Sequence, residues 1–168
     1  MIVQKSKDAK EKDWWLSYRY QNIQEIGLRY RVNLRKYQTL VLDGLNLEPA
    51  DAHTFFNKNQ NPVQQEELID SIRALHPVAI KIEDLCKLSR IIQGLDLLNR
   101  QTWMKIIHEL CDKLQSSLDT MSKTQLTHIH ATISRNDFMN NDLLDLYQKI
   151  ENINKNGKQK IEEPIERF

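Results

Sequence analysis

Apolar residues recur at steps of three and four along most of the chain, which is the period of an α-helix. The first such stripe runs through Leu16, Tyr20, Ile23, Gly27, Tyr30, Leu34, Tyr37 and Val41. A competing pattern is present between Leu28 and Arg35, where apolar and polar residues alternate as in a half-buried strand. The length of the stripe favours one helix, with Gly27 as a possible break.

Helix start signals recur in the second half of the chain. Asn61 followed by Pro62 predicts a helix that ends before His76 and Pro77. From Ile82 four more amphipathic helices follow. Asn99 is expected to cap the second of these four. A capping box of Ser122 and Gln125 is expected to start the third, and Asn140 or Asn141 to cap the last.

These four helices align as two pairs at a spacing of about 40 residues. In the first helix of each pair, Leu85, Leu88 and Ile92 fall on Leu126, Ile129 and Ile133. In the second, Trp103, Ile106, Ile107 and Leu110 fall on Leu143, Leu146, Tyr147 and Ile150. The pattern predicts an all-α fold in which helical hairpins stack as a short solenoid. The alternative is that two amphipathic hairpins align in this way by chance.

The chain divides into four segments on this interpretation. Residues 1–13 form an extended polar N-terminal arm, and residues 14–61 a basic and aromatic helix followed by an acidic loop. Residues 62–152 form the helical-hairpin repeat domain, and residues 153–168 an extended polar tail. Two repeats are fewer than the roughly three that a free solenoid needs. The N-terminal helices or a partner must therefore close its ends.

Composition supports helices and gives no sign of a membrane span. The 168 residues include only 4 Gly and 4 Pro, too few for a fold with many tight turns. The 2 Cys do not form a disulfide framework, so we expect a reducing compartment. No apolar run approaches the roughly 20 residues that cross a bilayer. The net charge is only +1, but basic residues cluster between 14 and 41 and acidic residues between 43 and 71.

The basic segment is the best candidate for a functional surface. The candidate partner-binding residues are Trp14, Trp15, Tyr18, Arg19, Arg29, Tyr30, Arg31 and Arg35. Trp, Tyr and Arg dominate protein-binding hot spots. Arginine also neutralises phosphates and aromatic rings stack on unpaired bases, so RNA contact is a second interpretation. A third is that the aromatic residues are simply the core face of the helix.

Catalytic chemistry finds little support in the sequence. Phosphate-binding glycine loops, nucleophile elbows and HExxH zinc motifs do not occur. His108 and Cys111 share a helix face, but zinc needs about four convergent ligands, and His128 and His130 point apart. Carboxylates on these helices alternate with Lys and Arg as on a solvated face. We therefore expect no catalytic, cofactor-binding or metal-binding residues, no cofactor and no small-molecule substrate.

The hairpins resemble those of a known class of proteins. The segments 85–107 and 118–150, including LDTMSKTQLTHIHATISRNDFMNNDLLDLYQKI, are similar to the helical-hairpin repeats of octotricopeptide and RAP-type organellar proteins. A weaker resemblance, to the small helical matrix-side subunit of the cytochrome bc1 complex, rests on IRAL at 72–75, LCKLSRI at 85–91 and LLNRQTW at 97–103. Both resemblances imply a mitochondrial, matrix-side location.

The resemblance implies a non-catalytic accessory subunit of a large assembly, such as the mitochondrial ribosome or a respiratory or ATP-synthase complex. Its partners would be protein subunits. An organellar RNA-binding module is the alternative, and an accessory subunit of the cytochrome bc1 complex is a further one.

Overall fold

A computed structural model describes the backbone of residues 2–58, 62–137 and 139–166, and the side chains of residues 17, 19–58, 62–137 and 139–156. Every regular element in these ranges is helical. The α-helices are α1 (Ile2–Tyr37), α2 (Asp43–Leu45), α3 (Pro49–Lys58), α4 (Pro62–Arg73), α5 (Ile82–Ile91), α6 (Leu97–Gln115), α7 (Lys123–Ser134) and α8 (Asn141–Glu166). The predicted all-α class is therefore confirmed.

Helix α1 is continuous through Gly27, so the strand interpretation of residues 28–35 is wrong. A π-helical turn, Gln38–Leu42, joins α1 to α2. The prediction of a non-helical arm is also wrong for residues 2–13, which are the first turns of α1. Lys, Glu, Gln and Ala are good helix formers, and extending an existing helix costs far less than starting one.

The C-terminal tail is the second correction at the chain ends. Helix α8 continues to Glu166, where we expected an extended segment from residue 153. Ile153 explains the start of this continuation, because its side chain is half-buried against the same core as Ile150. The apolar stripe of α8 thus continues to Ile153, beyond the residue at which the composition becomes polar.

A third correction concerns the predicted acidic loop. Residues 49–58 form α3, whose Ala52 and Phe56 are completely buried. Pro49 occupies the first helical position, where its missing N–H group costs nothing. The two buried residues are four apart and lie on one face, so tertiary burial stabilises a helix that the polar composition did not suggest.

The helices after residue 62 pack as two layered hairpins. Helix α5 packs on α6, and α7 packs on α8. Between the hairpins, α5 contacts α7 and α6 contacts α8, while α4 covers α6 and α1 covers α4. Among the apolar positions that align between the two predicted hairpins, Tyr147 is half-buried, and the following are buried: Leu88, Ile92, Trp103, Ile107, Leu126, Ile129 and Leu143. A single apolar core runs through all of these interfaces.

The helix start predictions are mostly confirmed. Ser122 and Gln125 form the expected reciprocal capping box, and Oδ1 of Asn140 accepts a hydrogen bond from the N–H of Leu143 at 2.8 Å. The prediction for Asn99 is wrong, because α6 already begins at Leu97. Asn99 lies inside the first turn, buried, and its amide donates to the side chain of Asn57 at 2.8 Å. Asn61, the predicted cap of α4, lies outside the described residues.

Candidate partner-binding surface

The apolar stripe of α1 leaves the core partway along the helix. At its C-terminal end, Tyr37 is completely buried, and Tyr30 and Leu34 pack half-buried against the core. Towards the N-terminus the same face becomes exposed. Ile26, four residues before Tyr30, is 58% exposed, and Ile23, seven residues before it, is 67% exposed. One continuous helix face is therefore part core and part surface.

The length of α4 accounts for this change. Helix α4, the main neighbour of α1, has 12 residues, which corresponds to about 18 Å of helix. The stretch 30–41 of the chain has the same number of residues and is the part that reaches the core. Every side chain described between residues 17 and 29 is exposed. This segment, residues 17–29, is called the overhang below.

Further apolar side chains extend the exposed surface around the overhang. Tyr20 is 63% exposed, and Leu28 and Val32 are exposed on a neighbouring side of the helix. Shallow grooves run between these side chains and the arginines beside them. Single exposed apolar residues are ordinary, but a run of them at helical spacing indicates an interaction surface.

Gly27 makes a notch in the middle of the exposed stripe. A Cβ atom added there would have no heavy atom within 4 Å. Gly44 and Gly94 differ, because a Cβ atom would lie 2.4 Å from the Phe55 ring and 2.5 Å from the His53 ring, respectively. Those two glycines are required by packing within the chain. For Gly27, no such packing contact exists among the described residues.

The predicted partner-binding residues are only partly brought together. Arg19, Arg29, Arg31 and Arg35 are exposed on α1. Arg31 and Arg35 lie one turn apart and line the same groove with Leu28, whereas Arg29 lies on another side of the helix. Tyr30 is partly a core residue. The side chains of Trp14, Trp15 and Tyr18 lie outside the described part of the structure.

Sequence reasoning missed the apolar members of this surface. Tyr20 and Ile23 belong to the predicted helical stripe, but the stripe did not indicate that they are exposed, and Ile26 was not singled out. The local pattern does not say where a neighbouring helix ends. The available signal was the difference in length between the stripe on α1 and the shorter helix predicted from Pro62 to before His76.

His108, His128 and His130 form contacts between neighbouring helices. His108 Nδ1 lies 2.7 Å from Asp142 Oδ1 and joins α6 to α8. A hydrogen bond with Asp142, together with nearby carboxylates, raises the pKa of His108. His128 pairs with Glu83 of α5.

His130 belongs to the other side of α7. It stacks on Tyr147 of α8 with 4.1 Å between ring centroids, and it pairs with Glu151. His128 and His130 therefore contact different helices, as their spacing of two residues predicts. Within the described ranges, no group of three or more His, Cys, Asp or Glu residues could hold a metal ion.

The two cysteines are buried, and the carboxylate of Glu109 pairs with an arginine of a neighbouring helix. Cys86 and Cys111 are buried free thiols, and burial raises the pKa of Cys86 to about 11. Burial likewise raises the pKa of Cys111, so neither thiol ionises readily at neutral pH. Glu109 accepts two hydrogen bonds from Arg73, at 2.7 and 3.1 Å, and these bonds lower the pKa of Glu109.

No protein-family model, curated protein or solved structure matches this chain. The family resemblance of the hairpins is thus neither supported nor contradicted by known proteins. In the described residues, no helix combines the length and the apolar character needed to cross a membrane. The overhang of α1 is the strongest candidate for a functional surface, on its own geometry.

Proposed function

We propose that this chain is a non-catalytic helical scaffold subunit of a large mitochondrial assembly, and that α1 attaches it to that assembly. The observation that carries the proposal is the apolar stripe of α1, which continues beyond α4 with Tyr20, Ile23 and Ile26 exposed. Half of this stripe is already used as a packing face within the chain. The exposed half has the same chemistry and spacing.

The energy available from this surface suits a docking contact. Full burial of Tyr20, Ile23 and Ile26 would contribute roughly 1.5–3 kcal/mol for each side chain. Association costs about 4–15 kcal/mol of lost translational and rotational freedom. The three residues alone therefore give a weak complex. A stable one needs further contacts, for which the exposed Arg31 and Arg35 beside Leu28 are candidates.

The mitochondrial part of the proposal rests on the resemblance of the hairpins to octotricopeptide and RAP-type repeats. That resemblance implies a mitochondrial ribosome or a respiratory or ATP-synthase complex on the matrix side. The layered packing of α5 on α7 and α6 on α8 agrees with such repeats. Size-exclusion chromatography and mass spectrometry of native mitochondrial extract test this part. Elution only as a free monomer near 19.9 kDa would contradict it.

The docking surface is tested by substitution. Ile23→Asp with Ile26→Asp should lower the fraction of the chain that co-elutes with the large assembly by at least about tenfold, because two charges would enter the buried contact. The matched control is Val78→Asp, which changes a side chain 74% exposed in another part of the molecule. Circular dichroism should show both variants folded. Normal assembly of the double variant would refute docking through α1.

RNA binding is the second candidate, favoured by the exposed Arg29, Arg31 and Arg35. If these residues contact phosphates, changing all three to Gln should lower RNA affinity and reduce the salt dependence by about 2–3 units of slope. The apolar stripe argues for protein docking, since phosphates gain nothing from Ile23 and Ile26. A steep salt dependence with nanomolar RNA affinity would reverse this preference.

A further inference from the structure

We draw no further inference here: the strongest candidate, the exposed apolar stripe of α1 at Tyr20, Ile23 and Ile26, belongs to the docking surface already proposed, and nothing in the described part of the structure shows what covers it.

Discussion

Replacement of Trp103 should show how strongly the N-terminal helices are joined to the hairpins. Trp103 of α6 is 2% exposed and meets the Phe56 ring of α3 edge to face, with 4.7 Å between centroids. Its indole N–H donates to the carbonyl oxygen of Phe56 at 2.9 Å. That carbonyl belongs to the last turn of α3. One side chain of α6 thus supplies both packing against α3 and a hydrogen bond to its C-terminal end.

Two substitutions separate the contribution of packing from that of the hydrogen bond by how much each lowers the free energy of unfolding. Trp103→Ala removes the ring and the donor, and should lower the free energy of unfolding by about 3–5 kcal/mol. Trp103→Phe keeps most of the ring but removes the indole N–H that donates to the Phe56 carbonyl, and the loss of one such hydrogen bond costs about 0.5–1.5 kcal/mol. Because domains of this kind are stable by about 5–15 kcal/mol, the Ala variant should lose a large part of its stability.

Urea unfolding followed by far-ultraviolet circular dichroism measures both changes, and it avoids fluorescence from the other tryptophans. The matched control is Leu98→Ala, because Leu98 lies in the first turn of the same helix but is 70% exposed. The control should change stability by less than about 0.5 kcal/mol. If Trp103→Ala lowers the free energy of unfolding by less than about 1 kcal/mol, the stabilising contact between α3 and α6 is refuted. Equal stability of the Phe variant and the native chain would show that the hydrogen bond from Trp103 to the Phe56 carbonyl does not stabilise the protein.

Three further predictions concern single sites. Gly44→Ala should destabilise the protein, because its Cβ would lie 2.4 Å from a phenylalanine ring, while Gly27→Ala should raise stability by about 0.5–1 kcal/mol. Thermal melts of the two variants give opposite shifts if the packing is correct. His108 has a raised pKa in the folded state, so its stabilising effect is fully present below its ordinary pKa of 6.5 and is lost as pH rises through the folded value. Melts between pH 5 and pH 9 should show this loss, and Asp142→Asn should flatten it. Asn140→Ala should cost about 1–3 kcal/mol in urea unfolding, because it removes the cap of α8 and a buried hydrogen bond; an unchanged midpoint would contradict this.

Local signals in the sequence were sufficient for the hairpins. The capping box of Ser122 and Gln125 depends only on residues three apart, and it forms as predicted. The buried stripes of α5 to α8 have a strong 3.6-residue period, so their inward faces could be assigned from the sequence. The cap at Asn99 failed because Asp96 starts the helix one turn earlier, and Asn99 is instead buried against Asn57.

Other features depend on contacts far apart in sequence, and these were missed. Helix α3 is stabilised by burial of Ala52 and Phe56, while its flanking Asp, Asn and Pro residues suggested a loop. The division of α1 into a buried and an exposed half depends on the length and placement of α4. A periodic stripe identifies a face that is suited to packing, but it does not identify what covers that face.

The helical state of the overhang is itself an argument for binding through α1. An isolated helix of about 13 residues is marginal in water, so residues 17–29 are stabilised mainly as an extension of the buried stretch that ends at Tyr37. Ordering a flexible segment costs about 1–2 kcal/mol of backbone entropy for each residue. A partner that met a disordered arm would have to offset this cost for every residue it fixed. A partner that meets α1 finds Tyr20, Ile23 and Ile26 already aligned on one face, and most of the energy of burying them remains available for affinity.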